Sequence, residues 1–317
     1  MIKPTRVHIC IVCLLIAVSS GLAQKMSIPF YFSAQKIILQ YAIKGQSIKL
    51  FFDTGWSRDV IDINRANKLN LLPHQKYKQV TQTTINGTVI DTFFPEGSCN
   101  YFDSLFFRGY CLSDMKQMRQ KLHLDNDIDG IVGFDFKHSK YVMELDFKHN
   151  QLCFWDSLPQ NFSRDKGVLK VDLLPTDYRN ETKTSKFFAR YPAMKGSLLV
   201  TDTVQLCPLF FFDTGNTAAY LQVVVADSLL FNRMLTYKKK ISQKYGNTYP
   251  TTHLQLPELG IDSLYVNLSM LPVNNGNSSR MGGKNKVIGF LGMDFFLQYE
   301  RVLFDCKNKI GYFVEKE

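Results

Sequence analysis

Residues 51–55 of this chain read Phe-Phe-Asp-Thr-Gly, and residues 211–215 read the same five residues in the same order. An apolar run that ends at an acid and a glycine is typical of a buried strand followed by a sharp turn. Each copy therefore places its carboxyl group, Asp53 or Asp213, at the rim of a hydrophobic core, where desolvation changes the proton affinity of the acid. Two such acids in equivalent settings predict a site at which two carboxyl groups share one proton.

The repetition extends beyond this motif, with matches in the same order and at nearly constant spacing. A turn of Asn, Gly and Thr begins at Asn86 in the first half and at Gly246 in the second, at the same interval from the acid. Two hydrophobic residues and a glycine follow in each half, and the intervals from the acids to Gly133 and to Gly292 differ by a single position. We therefore interpret the chain as a module of roughly 140 residues that is present twice.

Length and composition fit two mostly β domains. The 317 residues are many for a single core and comfortable for two. Runs of Val, Ile, Tyr and Phe alternate with turns that contain Gly, Asn and Pro, which predicts strands through most of the chain. Helices are predicted at residues 65–72, 113–122 and 227–245, and the last of these is expected to be the longest.

Residues 1–23 have the pattern of a secretory signal peptide. Lys3 and Arg6 precede an apolar stretch, and small residues up to Ala23 offer a cleavage site. The apolar stretch has about 10 residues, half of what a membrane-spanning helix needs, so we expect export and no stable membrane anchor. The predicted organisation of this secreted or periplasmic protein is a signal peptide at residues 1–23, an N-terminal lobe at 24–160 and a C-terminal lobe at 161–317.

Loss of the signal peptide removes two positive charges from a net charge of +10 and leaves five of the seven cysteines. An odd number of cysteines cannot all pair, and Cys99 with Cys111, which flank one predicted hairpin, is the pair to test first. The positive charges are scattered except at residues 238–240, which we assign to a solvated helix face. Because basic residues do not alternate with aromatic ones, we expect no nucleic-acid partner.

Two neighbouring carboxyl groups support general acid–base hydrolysis. Both cannot ionise comfortably, so one proton stays on the pair over a broad pH range. The ionised acid takes a proton from a bound water while the protonated acid donates to a carbonyl oxygen. The threonine in each motif supplies a hydroxyl that can hydrogen-bond across the two halves and lock the loops. This chemistry requires no cofactor, and the histidines show no metal-ligand spacing.

These features resemble the bilobal aspartic peptidases of the pepsin/retropepsin type, over nearly the whole chain after residue 23. Four short motifs carry the resemblance: Asp53-Thr54-Gly55, Asp213-Thr214-Gly215, Ile131-Val132-Gly133 and Phe290-Leu291-Gly292. The resemblance implies a mostly β fold with two homologous β-barrel-like lobes and an active-site cleft between them. Asp53 and Asp213 would be the catalytic residues. The loop residues that support them would be Thr54, Gly55, Thr214 and Gly215.

The resemblance also implies how a substrate is bound. An extended polypeptide would lie in the cleft under a hairpin flap, for which residues 83–91 are the candidate because Asn86-Gly87 favours a tight turn. Two lobes in one chain complete the site, so a monomer is expected. Pepsin-like flaps usually carry a Tyr, which this hairpin lacks, whereas Tyr245 and Tyr249 flank the equivalent turn of the second half. Which hairpin acts as the flap therefore stays open.

The chain departs from the family at the residue after each Asp-Thr-Gly. Pepsin-like enzymes have Ser or Thr there, whereas this chain has Trp56 and Asn216. A hydroxyl bonded to an Asp favours the ionised form, so its loss predicts a raised pKa for the pair and an activity optimum less acidic than that of pepsin. Both residues are candidate substrate-binding residues, together with Asn86 and Gly87. For Trp56, packing under the first lobe is an equal alternative.

The predicted function is that of an exported aspartic endopeptidase that prefers apolar side chains on both sides of the cut bond. The stretch from Gln24 to the first predicted strand at Lys36 is short and leaves little room for an inhibitory prosegment. We therefore expect a protein that is competent soon after signal removal. Two alternatives are a catalytically weak or inactive peptide-binding protein on the same scaffold and a structural role at the cell surface. Mutation of either Asp separates cleavage from binding.

Overall fold

The structure is a computed structural model that describes most of the chain from Gln24 onwards. The described residues are 24–43, 45–56, 59–70, 77–83, 89–95, 111–134, 136, 139–159, 162, 167–181, 186–199, 205–217, 220–223, 229, 232, 240–244, 247–270 and 287–316. The predictions for residues 1–23, for Cys99 and for the turn at Asn86-Gly87 lie outside these ranges.

Strands dominate the described residues, so the predicted mostly β class is confirmed. The strands of the N-terminal half are β1 (Gln24–Ser33), β2 (Lys36–Ile43), β3 (Gln46–Phe52), β4 (Val60–Asp62), β5 (Tyr77–Thr83), β6 (Val89–Pro95), β7 (Cys111–Ser113), β8 (Gly130–Val132), β9 (Val142–Asp146) and β10 (Gln151–Trp155). The strands of the C-terminal half are β11 (Val168–Asp172), β12 (Leu174–Glu181), β13 (Lys186–Lys195), β14 (Ser197–Leu199), β15 (Gln205–Leu206), β16 (Leu209–Phe212), β17 (Tyr220–Val223), β18 (Lys240–Lys244), β19 (Asn247–Leu256), β20 (Ile261–Met270), β21 (Val287–Leu291), β22 (Tyr299–Asp305) and β23 (Ile310–Glu315).

The helices whose bounds fall within the described ranges are short. They are Ile63–Lys68, Met115–Lys121, Met293–Phe296 and the 3-10 turn Pro257–Leu259. The first two confirm the helices predicted at 65–72 and 113–122, and each begins after an Asp whose carboxylate accepts from backbone N–H groups of the first turn. None of the helices in the described ranges is long and apolar enough to cross a membrane.

The helix predicted at residues 227–245 is wrong at its C-terminal end. Leu229 and Asn232 are helical, but Lys240–Lys244 is strand β18. This strand pairs antiparallel with β19, with Ser242 opposite Tyr249. Pairing with a neighbouring strand therefore overrides the local helical pattern, and Lys240 does not lie on the predicted helix face.

Both halves fold with the same strand topology around the Asp motif, which confirms the predicted pair of homologous β lobes. In the first half, β3 leads into the motif and runs parallel to β8, which pairs antiparallel with β4. In the second half, β16, β21 and β17 repeat this arrangement. Phe52 lies opposite Val132, and Phe212 lies opposite Leu291. Each hydrophobic-hydrophobic-Gly element is therefore hydrogen-bonded to the strand that carries its own Asp.

A sheet of six strands joins the two halves, in the order β11-β23-β22-β9-β10-β1. Its centre is the antiparallel pair of β9 and β22, with Met143 opposite Phe304. The first strand is β1, which pairs with both β10 and β2. The prediction that the first strand begins at Lys36 is therefore wrong: Ile28 and Phe30 are buried, and the stretch that precedes Lys36 is part of the folded core.

Alternation along β3 sends its two last side chains into different parts of the core. Phe52 packs into the main cluster, which extends through both halves. Phe51 faces the opposite way, into a smaller group that we call the outer cluster. The outer cluster consists of Ile38, Phe51, Val60, Met115, Met118, Ile128 and Ile131. Each fully buried phenylalanine contributes roughly 1.5–3 kcal/mol of hydrophobic free energy, which anchors the strand that delivers Asp53.

The joining sheet contains one buried ionic contact between the halves. Glu144 on β9 is 1 % exposed and accepts from the indole N–H of Trp155 at 2.6 Å. Arg301 on β22 donates to the same carboxylate through Nε at 2.6 Å. Because a buried carboxylate is stable only when it is paired and hydrogen-bonded, this contact fixes how the two halves meet.

Candidate active site

Two loops of equal length follow β3 and β16, and we name them by their residues: the first Asp loop is 53–56 and the second Asp loop is 213–216. The backbone N–H of Asp53 donates to the Val132 carbonyl at 3.0 Å, and that of Asp213 donates to the Leu291 carbonyl at 3.0 Å. The parallel pairing of each strand thus continues one residue beyond its end. This last hydrogen bond fixes the Cα position of each acid.

The threonines of the two loops hydrogen-bond across the halves. The N–H of Thr54 donates to Oγ1 of Thr214 at 2.9 Å, and the N–H of Thr214 donates to Oγ1 of Thr54 at 3.0 Å. Each hydroxyl in turn donates to a carbonyl of the opposite strand, from Thr54 to Phe212 at 2.8 Å and from Thr214 to Phe52 at 3.2 Å. Both side chains are buried, so all four bonds form away from water. This reciprocal set locks the two loops together.

The glycines bring each loop against the opposite carboxyl group. The N–H of Gly55 donates to Asp53 at 2.7 Å, and the N–H of Gly215 donates to Asp213 at 3.0 Å. A Cβ atom built on Gly55 lies 2.5 Å from Oδ1 of Asp213, and one built on Gly215 lies 2.5 Å from Oδ1 of Asp53. No side chain fits at such separations, so glycine is required at both positions for a steric reason. The two carboxyl groups therefore lie side by side.

Both acids are 9 % exposed, and they differ in proton affinity. Burial raises the pKa of Asp53 well above its ordinary value, and the negative charge of Asp213 and a hydrogen bond with it raise it further. Burial also raises the pKa of Asp213, but hydrogen bonds from Asp53, Gly215 and Asn216 oppose this rise. The pair therefore holds one proton over a wider pH range than two isolated carboxyl groups would.

Asn216 is one of the residues that oppose the rise in the pKa of Asp213, after Asp53 and Gly215. Its side-chain amide donates to Oδ2 of Asp213, and its carbonyl accepts from the N–H of Met293 at 2.7 Å. The loss of the family's Ser or Thr at this position does not leave Asp213 without a side-chain donor. The amide of Asn216 donates in place of the hydroxyl, which corrects the prediction. Because an asparagine side chain has two N–H donors, the residue type alone indicates that position 216 can donate to the neighbouring acid. A direct contact of Asn216 with substrate stays a prediction.

Trp56 has no such role in the first Asp loop. Its N–H donates to the carbonyl of Asp53 at 2.9 Å, which closes the turn. Its side chain is partly buried and packs against the outer cluster, in agreement with the second of the two alternatives weighed for it. The Trp56 carbonyl oxygen lies so close to Gly133 that a Cβ there would overlap it. Whether the indole also touches substrate stays a prediction.

The two candidate flap hairpins are present as strand pairs. β5 and β6 pair with Thr83 opposite Val89, and β18 and β19 pair with Lys244 opposite Asn247. The turn residues Asn86, Gly87 and Tyr245 lie outside the described ranges. The choice of flap between the hairpins stays a prediction.

One charged residue beside the site escaped the sequence analysis. Lys36, the first residue of β2, is only 8 % exposed, and it is one residue beyond the pairing of Ile37 with Phe52. This register puts Lys36 across from Asp53. The sequence does contain a hint of this position. Lys36 directly precedes the apolar run of β2, and in an antiparallel hairpin it lies across from the residue that follows β3, which is Asp53. Reading it required the hairpin register, which the sequence pattern alone does not fix.

Comparisons with known proteins find solved structures of similar fold but no matching sequence. No family model and no curated protein sequence matches this chain. Among solved structures, the chain is similar to an aspartic proteinase from Irpex lacteus, with 14% identity, a TM-score of 0.46, and coverage of 92% of this chain and 97% of that one. It is also similar to conglutin gamma, a basic 7S globulin from lupine seeds, with 8% identity, a TM-score of 0.46, and coverage of 92% and 95%.

Proposed function

We propose that this protein is an exported aspartic endopeptidase in which Asp53 and Asp213 hydrolyse peptide bonds through a bound water. One observation carries the proposal: two buried carboxyl groups lie side by side on loops that hydrogen-bond reciprocally, and their proton affinities are driven apart. Pairs of titratable groups with separated pKa values are typical of acid–base sites. A purely structural role would not require two carboxyl groups to be buried against each other.

The proposal divides the proton transfers between the two acids. Asp213, the ionised member, accepts a proton from the water as its oxygen attacks the carbonyl carbon of the peptide bond. Asp53, the protonated member, donates to the carbonyl oxygen, which develops negative charge in the transition state. In the second step the C–N bond breaks while Asp213 donates the proton that it took from the water to the leaving nitrogen. Asp53 takes a proton back from the hydroxyl of the tetrahedral intermediate, which becomes the new carboxyl group, and the pair returns to its starting state. No covalent intermediate forms on the protein.

Backbone geometry supplies the precision of these transfers. The Oδ1 atom of each acid accepts a glycine N–H, and Oδ2 of Asp213 also accepts from the Asn216 amide, so both carboxyl groups are held in place. The buried threonine hydrogen bonds resist separation of the loops when substrate enters. Pre-organisation of this kind contributes to rate because no rearrangement is needed when charge develops. The proposed substrate is an extended polypeptide with apolar side chains next to the cut bond.

The deciding experiment is cleavage of a mixed peptide library by residues 24–317, measured from pH 3 to pH 8. Asp53→Asn, Asp213→Asn and a statine-type inhibitor run in parallel, with Asp156→Asn as a matched control because Asp156 is an exposed acid after β10. Loss of cleavage in both loop variants but not in the control supports the proposal. A folded protein that retains peptides without cutting them at any pH contradicts it and favours the peptide-binding alternative.

A further inference from the structure

Lys36 is a buried cation beside the proposed acid pair. Ile38 lies opposite Phe51, and both belong to the outer cluster, so they share one face of the β2–β3 hairpin. Side chains two positions apart on a strand share a face, which places Lys36 with Ile38 and Asp53 with Phe51. Lys36 and Asp53 are therefore cross-strand neighbours on the same face, and Cβ atoms in that relation are about 5 Å apart.

The turn that precedes Lys36 is held in a strained conformation. Ser33 pairs with Lys36, and the two residues between them, Ala34 and Gln35, have φ angles of 48° and 63°. Two-residue turns with positive φ at both positions fit the twist of the strands that they connect. These positions are usually Asn or Gly, because other residues disfavour the left-handed region. A short loop of this kind allows little movement, so the position of the lysine is well defined.

The ammonium group of Lys36 lacks a close counter-ion in the described part of the chain. The acids near it are Asp125 and Asp53, and neither forms an ion pair with it within 4.0 Å among the described residues. Asp125 accepts instead from the hydroxyl of Ser33 at 2.5 Å. Burial lowers the pKa of Lys36, and the attraction of the two acids only opposes this. The ammonium group can donate three hydrogen bonds, and a carboxylate beside it would accept from it and supply its counter-ion.

We propose that Lys36 binds a carboxylate of the substrate, so that the protein selects peptides with Asp or Glu at one fixed position near the cut bond. This inference deepens the proposed function, since it names a substrate class for the same cleft. It differs from the purely apolar preference expected from family resemblance. The lysine is argued here as a specificity residue and takes no part in the proton transfers.

The test compares matched peptides that differ only by Glu against Gln or Asp against Asn, scanned through each position around the cut bond. At pH 6 the acidic side chains are ionised, since their ordinary pKa is about 4. The wild-type protein should favour the acidic peptide at one position by about 10- to 100-fold in kcat/KM, the range expected for a hydrogen bond to a buried charge. Lys36→Met should abolish that ratio, and Lys36→Arg should retain part of it. Lys170→Met, which removes an exposed lysine from β11, should keep the full ratio.

A binding measurement separates failure of this inference from failure of the proposed function. Non-cleavable reduced-amide peptides with Glu or Gln at each position are titrated against wild type and Lys36→Met, with thermal unfolding as the check on folding. Acid-selective binding that depends on Lys36, without any cleavage, preserves the inference and overturns the peptidase proposal. If both proteins cleave the peptides and Lys36→Met has the same Glu-to-Gln ratio of kcat/KM as wild type, the inference alone is overturned. Absence of both cleavage and acid-selective binding overturns both.

Discussion

The two Asp loops have nearly the same backbone and different electrostatics. In each, the acid is fixed by the neighbouring strand, the glycine N–H donates to the carboxylate, and the threonine bonds to the other half. The fourth residue differs: Asn216 donates an amide hydrogen to Asp213, whereas Trp56 turns its ring into the outer cluster. The side chain after each glycine is therefore the point at which the surroundings of the two acids differ.

This comparison separates two requirements that a duplicated site has to meet. Symmetry brings two acids together, because two copies of one loop can meet face to face. Chemistry requires that one acid holds a proton while the other is ionised, and two adjacent carboxyl groups meet this requirement by sharing one proton. Both copies keep the threonine and the glycine, which place the two acids in the same way. The residue after the glycine differs, so the hydrogen-bond surroundings of the two acids differ.

The largest expected effect comes from removing either acid. Asp53→Asn and Asp213→Asn should each lower kcat/KM by about 10⁴-fold or more, because neither proton transfer can proceed with one member of the pair. Steady-state cleavage of a fluorogenic peptide measures this. Substantial residual activity in one variant alone would mean that a single acid suffices, and the proposed division of roles would then be wrong.

The glycines come next. Gly55→Ala and Gly215→Ala should each lower activity by about 100-fold, because the added methyl group displaces the opposite carboxyl group by a large fraction of an ångström. Gly45→Ala is the control: its surroundings are open, but its φ of 76° makes alanine unfavourable. That variant should lose about 1 kcal/mol of stability and keep its activity. Full activity in both loop variants would contradict the described packing of the loops.

The threonines test the symmetric part of the comparison. Thr54→Val and Thr214→Val should each destabilise the protein by about 1–3 kcal/mol, because each leaves a buried N–H and a buried carbonyl without a partner. The two losses should be equal within about 0.5 kcal/mol, measured by chemical denaturation. Thr→Ser at the same positions should keep most of the stability. A loss confined to one side would show that the hydrogen bonds are not equivalent.

Asn216 tests the asymmetric part. Its amide favours the ionised form of Asp213, so Asn216→Ala should raise the pKa of that acid and move the acidic limb of the pH–rate profile to higher pH. Asn216→Ser retains a donor and should move the limb less. Trp56→Phe should leave the acidic limb of the profile unchanged, because the indole packs against the outer cluster. An unmoved limb in Asn216→Ala would contradict the assignment of the base.

The smallest effect concerns stability against pH. The folded-state pKa of Asp53 is raised, so its contribution to stability is full below the ordinary Asp pKa of about 4 and is lost as the pH rises through the folded value. Asp53→Asn should therefore raise the Tm relative to wild type by roughly 2–4 °C at pH 7 and by less at pH 4. Differential scanning calorimetry measures this, with Asp156→Asn as the control that should show no such difference.

Sequence reasoning reached those parts of the site that depend on short motifs at fixed spacing. The Asp loops, their threonines and the elements ending in Gly133 and Gly292 were predicted because each is a local pattern that occurs twice. The strand positions of those elements follow from the same repetition. A duplicated sequence therefore determines its own internal pairing well.

The parts that could not be predicted depend on contacts between distant segments. Strand β1 is stabilised by β10, which lies far along the chain, and β18 is extended only because β19 pairs with it. The burial of Lys36 follows from hairpin register, and its charge pointed to the surface instead. The amide of Asn216 was overlooked because the family pattern directed attention to a missing hydroxyl.

The joining sheet has a consequence for biosynthesis. Its central pair links β9 to β22, and β11 is completed only by β23, so the sheet cannot close until the last strands have left the ribosome. Contacts between segments so distant in the chain form late and slowly. The two acids lie on loops that this closure brings together, so a partly synthesised chain holds one acid and no pair. Under the proposed function, this order of folding means that no acid pair exists before synthesis of the chain is complete.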